Sequence, residues 1–149
     1  ITFDIDEALS FEGETGPYLQ YALVRANNIF ETLRARTGLT EADIIRALPA
    51  TPADTLQADL EGGDLWNLVL ESARLDEVVE QAVRTLELSS LAKHAFALAQ
   101  SFNAIYHRYP ILNAERTDIQ YWRAATVVYF RAQLTRAVTL MGFEVPSRM

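Results

Sequence analysis

The sequence predicts an all-α protein, a helical bundle built on three long helices and several short ones. Apolar residues recur at helical spacing, most cleanly as Leu91, Ala95, Leu98, Phe102, Ile105 and Tyr109, at steps of 4, 3, 4, 3 and 4. Residues that start and stop helices punctuate the chain at matching intervals. Strand-like alternation is confined to the beginning, where Ile1, Phe3 and Ile5 alternate with Thr2, Asp4 and Asp6, which reads as an extended entry segment.

Each element follows from local chemistry. Gly13 and Gly16 permit a tight loop, and Pro17 suits the first helical position because it has no N–H to satisfy there, so a helix is expected from about Tyr18 to Arg36. Arg34 and Arg36 complement the macrodipole of its last turn, and Gly38 stops it. Thr40 and Asp43 have the spacing of a capping box for a helix through Ile44, Ile45 and Leu48 that ends before Pro49. The stretch from Thr51 to Gly63 is acidic and glycine-containing, and reads as a surface excursion. The helical pattern resumes with Leu65, Leu68, Val69 and Leu70, then continues with Val78, Val79, Ala82, Val83 and Leu86 behind Asp76 as an N-cap. Ser89 is the expected cap of the next helix, which Pro110 closes. Thr117 with Gln120 resembles another capping box, opening a helix to Met141 that Gly142 ends. The apolar tail from Phe143 to Met149 is expected to pack back across the bundle.

Composition narrows the chemistry. The chain has 149 residues, enough for one domain with a substantial core, and half of them are hydrophobic. It has no cysteine, which excludes disulfides, cysteine-ligated zinc and thiol catalysis and fits a reducing cytoplasm. No apolar run approaches the ~20 residues that span a bilayer. Net charge is −7, unusual for a nucleic-acid binder, but the distribution is uneven. Residues 1–99 carry seven basic side chains against seventeen acidic ones, whereas residues 100–149 carry six against three. Only Lys93 of the thirteen basic residues is lysine; the rest are arginine, better suited to stacking on bases and forking onto phosphates.

No catalytic constellation is present. The chain lacks a phosphate-cradling glycine motif, a Gly-x-Ser-x-Gly elbow and a Glu-x-x-His pair. Its two histidines, His94 and His107, lie on one helix too far apart to share a metal. No catalytic or metal-binding residue is therefore assigned. Binding surfaces remain. On a helical wheel Tyr18, Tyr21, Arg25, Asn28 and Thr32 fall within about 80° of one another, at 3.6 residues per turn. Ala22, Ala26, Ile29 and Leu33 occupy a different face. Gln100, Asn103 and His107 form a second polar stripe, with Tyr106 at its border. Rings and amides so placed are what single-stranded RNA reading uses: bases stack on rings while amides and arginines bond their edges. By spacing alone, Tyr106 and Phe102 also fit the core, and Asn103 also fits a bond between helices.

Three motifs carry a resemblance. The run Leu9-Ser10-Phe11-Glu12-Gly13-Glu14-Thr15-Gly16-Pro17-Tyr18-Leu19-Gln20-Tyr21-Ala22, with Arg25, resembles the segment joining the catalytic core to the anticodon-binding domain in arginyl-tRNA synthetases. Phe102-Asn103 with Tyr106-His107 resembles that family's Phe-Asn-x-x-Tyr helix, and the end from Gly142 to Met149 resembles its Gly-Ile-x-Val-Pro-x-x-Met. The resemblance spans essentially the whole chain. It implies a DALR-type anticodon-binding domain over residues 17–149, a bundle of the class I synthetase type, preceded by a connecting segment over residues 1–16 whose Gly-Glu-Thr-Gly-Pro turn sets it against the catalytic core.

What the resemblance further implies is an arginine–tRNA ligase in the cytoplasm. Its partners are arginine tRNA, gripped at the anticodon stem-loop, and its own catalytic domain; neither a membrane nor DNA is expected. ATP and Mg²⁺ serve the full-length enzyme, with no cofactor in this part. The family places anticodon contacts on residues matching Tyr21, Arg25, Tyr106 and Met149, while Tyr18, Asn103 and His107 suit either tRNA binding or a structural role. Leu23 stands where the family often has histidine, on the core side of the wheel. The class I signatures His-x-Gly-His and Lys-Met-Ser-Lys are absent, so chemistry is not expected from this chain. The alternative is a free-standing helical RNA- or protein-interaction module without aminoacylation.

Overall fold

A computed structural model describes residues 5–9, 13–51, 54, 57, 63–147 and 149. Its elements are a short helix α1 (Ile5–Ala8), α2 (Gly16–Thr37), α3 (Glu41–Ala47), a 3₁₀ turn (Leu48–Ala50), α4 (Asp64–Ala73), α5 (Leu75–Thr85), α6 (Ser89–Arg108) and α7 (Thr117–Leu140). The described residues are all-helical, and α2, α6 and α7 are the three long helices the pattern predicts. None of the described helices is long and apolar enough to cross a membrane.

The core forms where the apolar faces of α2, α6 and α7 meet. Leu98, Phe102, Phe130 and Leu134 are buried there beside Leu23 and Ile29. The rings of Phe102 and Phe130 stack at 4.5 Å, locking α6 to α7. Helix α7 is the hub, packing against α2, α3, α4 and α6. It is apolar on most sides, with Trp122, Ala124, Ala125, Val127, Phe130, Ala137 and Val138 all buried. Leu91, Ala95, Leu98, Phe102 and Ile105 are buried as the α6 spacing requires, and Tyr109 is half-buried. Leu23 is fully buried, as its wheel position demands.

Start and stop chemistry departs from expectation at several places. Helix α2 begins two residues early, because the Thr15 hydroxyl accepts from the Tyr18 N–H (3.3 Å) and caps it, putting Pro17 at the second helical position. Gly38, at φ 74°, ends this helix as expected. The capping box of α3 is present as read: the Thr40 N–H donates to the Asp43 carboxylate and the Asp43 N–H to the Thr40 hydroxyl. The Thr40 hydroxyl, which also donates to that carboxylate (2.6 Å), and after it the Thr40 N–H hold the Asp43 carboxyl below its usual range. Helix α3 ends at Ala47, before Pro49 as expected, and Pro49 sits inside the 3₁₀ turn that follows.

Three predicted caps are corrected. Asp76 lies inside the first turn of α5 and binds Arg136 of α7 at 2.6 Å. Ser89 is the first residue of α6 and makes no side-chain cap. Thr117 likewise opens α7 without capping it, and Gln120 turns away to donate to the Ile111 carbonyl (2.9 Å). In each case the helix starts within a residue or two of the expected point, but the side chain serves another partner or none. The extended reading of the entry is also overturned over Ile5–Ala8, where the Leu9 N–H donates to the Ile5 carbonyl in a helical turn. The alternation ends at Ile5, and the Glu7-Ala8 that follows favours helix. Most of the predicted excursion from Thr51 to Gly63 lies outside the described residues.

The tail packs back as expected. Gly142, at φ 82°, lets the Phe143 N–H reach the Val138 carbonyl (2.9 Å), which turns the chain off α7. Phe143 comes to rest beside Gly16, the Glu144 carbonyl accepts from the Gln20 side chain (2.7 Å), and Val145 packs on the core. The end of the chain is thereby tied to the start of α2.

Candidate nucleic-acid interface

Helices α2 and α6 lie side by side, so the polar-aromatic stripe of one meets the polar stripe of the other. At their seam Arg25 projects from α2 onto α6. Its guanidinium donates to Asn103 Oδ1 at 2.7 Å, approaches His107 Nε2 at 3.4 Å and lies 4.1 Å from the centroid of the Tyr106 ring. Tyr21, one turn earlier on α2, has its ring centroid 5.5 Å from the same guanidinium carbon. Asn103 completes the arrangement by donating its other amide group to the Tyr18 hydroxyl (2.9 Å). Because a guanidinium only donates, the His107 contact uses the ring-nitrogen lone pair.

Six of the seven sequence-predicted residues thus converge: Tyr18, Tyr21, Arg25, Asn103, Tyr106 and His107. Tyr21 is 41% exposed and His107 is exposed, while Tyr18, Arg25, Asn103 and Tyr106 are half-buried. Asn103 bridges the helices, the structural role its spacing allowed, and in doing so fixes Arg25. Met149 is 49% exposed and makes none of the contacts that join the six. Asn28 and Thr32, stripe members without a role, are tied to each other, the Thr32 hydroxyl donating to the Asn28 carbonyl (2.7 Å).

Two further residues escaped the sequence reading. Phe96 backs Tyr18 at a ring separation of 5.1 Å. It lies one turn before Gln100 on the same stripe as Asn103 and His107, so extending that stripe backwards would have found it. Arg36, assigned only to the helix macrodipole, donates to Asn113 Oδ1 at 3.2 Å.

The charge on Arg25 sets the electrostatics. Among the described residues, Arg46, Arg74, Arg108, Arg116, Arg131 and Arg136 each pair with a carboxylate. Arg25 is held instead by an amide oxygen, a ring nitrogen and two aromatic faces. Neutral partners orient a cation without cancelling it, leaving the seam positive in a chain of net charge −7. A flat cation between one exposed ring, Tyr21, and one half-buried ring, Tyr106, suits stacking of bases and contact with phosphates or base edges.

Comparison with known proteins gives this seam its context. A family model described as the DALR anticodon binding domain matches residues 19–149. The chain belongs to that family. The DALR match takes in every residue of the seam except Tyr18. Among curated relatives, an arginine–tRNA ligase of Alkaliphilus metalliredigens is 33% identical over 149 residues, covering all of this chain and 24% of that protein. The arginine–tRNA ligase of Thermobifida fusca is 32% identical over 148 residues, 99% of this chain and 23% of that one. In a solved structure, the arginyl-tRNA synthetase of Thermus thermophilus matches this fold with a TM-score of 0.73 at 29% identity, covering all of this chain and 24% of that one. The chain spans about a quarter of the length of the curated relatives it matches.

Proposed function

We propose that this chain is the anticodon-binding part of a longer arginine–tRNA ligase and that the α2–α6 seam receives the anticodon loop of arginine tRNA. The longer protein would join arginine to that tRNA in the cytoplasm, using ATP and Mg²⁺ at a catalytic domain whose signatures this chain lacks. Residues 1–16 would connect the two parts. A free-standing module is the weaker reading, because the relatives that align with all of this chain are each about four times as long.

The observation that carries the proposal is Arg25, held by neutral partners between Tyr106 and Tyr21. In this reading anticodon bases leave the loop stack and pack against Tyr21 and Tyr106, and Arg25 meets a base edge or phosphate. Met149 would close the site from the tail. Tyr18 and Asn103 position Arg25 rather than touching RNA. Each lost base stack costs about 1–3 kcal/mol. Tyr21→Ala or Tyr106→Ala in the full-length enzyme should therefore raise the KM for arginine tRNA while leaving that for arginine nearly unchanged. Unaltered tRNA kinetics in both variants would overturn the assignment.

A further inference from the structure

A cleft of about 150 Å³ lies next to the seam, lined by Ile29, Tyr106, Pro110, Ile111, Leu112 and Asn113. Tyr106 belongs to both places: Arg25 lies against its ring, and the ring also lines the cleft, which Arg25 does not line. Most of the side chains that line the cleft are apolar, with Ile29 and Ile111 buried, and its amide, Asn113, is exposed. Asn113 Oδ1 accepts from Arg36, leaving the Nδ2 hydrogens as its donors toward a ligand.

Arg36 repeats the chemistry of Arg25. Among the described residues it too is held by an asparagine amide with no carboxylate partner. It stands eleven residues after Arg25 on α2, close to three full turns, and so on the same face of the helix about 16 Å further along. Two cations, each fixed by an asparagine, thus stand along one face of α2: Arg25 lies against Tyr106, and Arg36 is joined to the cleft through Asn113. Nearby, Arg123 of α7 donates to the Pro110 carbonyl at 3.1 Å.

We infer that this cleft is a second nucleotide subsite: an unstacked base of the bound RNA enters beside Tyr106, against Ile111 and Leu112, Asn113 donates to its edge, and Arg36 holds the adjoining phosphate. A slot of mainly apolar side chains with one amide, and a cation bonded to that amide, fits a flat heterocycle attached to an anion, the chemistry of a nucleotide. Continuity with the Arg25 seam makes the occupant a neighbouring residue of the same RNA strand. The inference rests on the proposed anticodon-binding role and adds Arg36, Leu112 and Asn113 to the residues that meet tRNA.

The test uses the full-length ligase and arginine tRNA carrying 2-aminopurine at successive anticodon-loop positions. Leu112→Trp fills the cleft; it should lower affinity by roughly 5- to 150-fold, the range of one lost base stack, and abolish the fluorescence change at one loop position only. Arg36→Ala should reduce the slope of log affinity against log salt by about one, as expected for one lost phosphate contact. Asn113→Ala, an exposed change that leaves the core intact, should weaken discrimination at the position Leu112→Trp identifies. Wild-type affinity, salt slope and fluorescence in Arg36→Ala and Asn113→Ala would overturn the second subsite. So would a lower melting temperature for Arg36→Ala with an unchanged salt slope, which marks a purely structural role. If Tyr21→Ala weakens tRNA binding in the same series, the second subsite alone has failed; if it does not, the anticodon-binding reading fails with it.

Discussion

Replacing Asn103 by alanine probes the seam most sharply, because Asn103 is placed as a residue that positions Arg25. The substitution removes the bond from Arg25 (2.7 Å) and the bond to the Tyr18 hydroxyl (2.9 Å). A hydrogen bond involving a charged group contributes about 1.5–3 kcal/mol and a neutral one about 1 kcal/mol. Both groups left behind are only half-buried, so water replaces part of what is lost, and the net cost to stability should be about 1–2 kcal/mol. For a domain of this length that lowers the melting temperature by roughly 2–8 °C, measurable by circular dichroism. Arg25 keeps the Tyr106 face at 4.1 Å but loses its fixed direction. Ordering it again on binding costs about 0.5–1.5 kcal/mol, so tRNA affinity should fall about 2- to 12-fold. A double-mutant cycle isolates this effect. Once Arg25 is alanine, Asn103→Ala should cost almost nothing further in affinity. If instead the two losses add within about 0.5 kcal/mol, Asn103 acts independently of Arg25 and the positioning argument is wrong.

Other expectations follow from the packing, the tail and the buried polar groups. Phe130→Ala should cost about 3–5 kcal/mol by denaturant titration, since its ring is fully buried and stacked on Phe102; a cost below 1 kcal/mol would contradict the placing of the core. Gly142→Ala forces a side chain into the left-handed region at φ 82° and should cost about 1–2 kcal/mol, with no loss indicating that the tail turns differently. His94 of α6 is half-buried, with no hydrogen-bond partner for Nε2 among the described residues, and burial above all, opposed by Glu71 and reinforced by Arg74, holds its pKa below 6.5. The unfolded chain therefore takes up this proton first, so the stabilisation is complete above about pH 6.5 and is lost as pH falls towards the folded value. His94→Phe should flatten the fall in stability between pH 7.5 and 5.5; an unchanged profile would show that other groups cause it.

The long helices were legible in the sequence because their cores repeat at 3.6 residues, a period that survives any tertiary arrangement. The cluster was legible in halves. A wheel places Tyr18, Tyr21 and Arg25 on one face of α2, and Asn103 with His107 on one face of α6. It carries no information on how two helices are set against each other, so the bonds from Arg25 to Asn103 and from Asn103 to Tyr18 emerge only in three dimensions. Caps were the least legible feature for a related reason. Asp76, Ser89 and Thr117 have the right chemistry, but a cap depends on backbone angles at one position, and Asp76 is drawn to Arg136 across the bundle. Arg36 and Asn113 were missed because they are distant in sequence and pair through the turn after α6. Motif resemblance supplied the family, which neither charge nor periodicity would have named.

The central claim is that this surface distinguishes an anticodon. It is tested most directly by titrating the 149-residue chain, at fixed salt, with the anticodon stem-loop of an arginine tRNA and with the same stem-loop carrying a scrambled anticodon. Binding should be weak and strongly salt-dependent, given the net charge of −7, yet tighter for the arginine anticodon by about tenfold or more, the equivalent of at least one base stack. Equal affinity for the two stem-loops would contradict the account, leaving a helical bundle of this family whose seam does not read the anticodon.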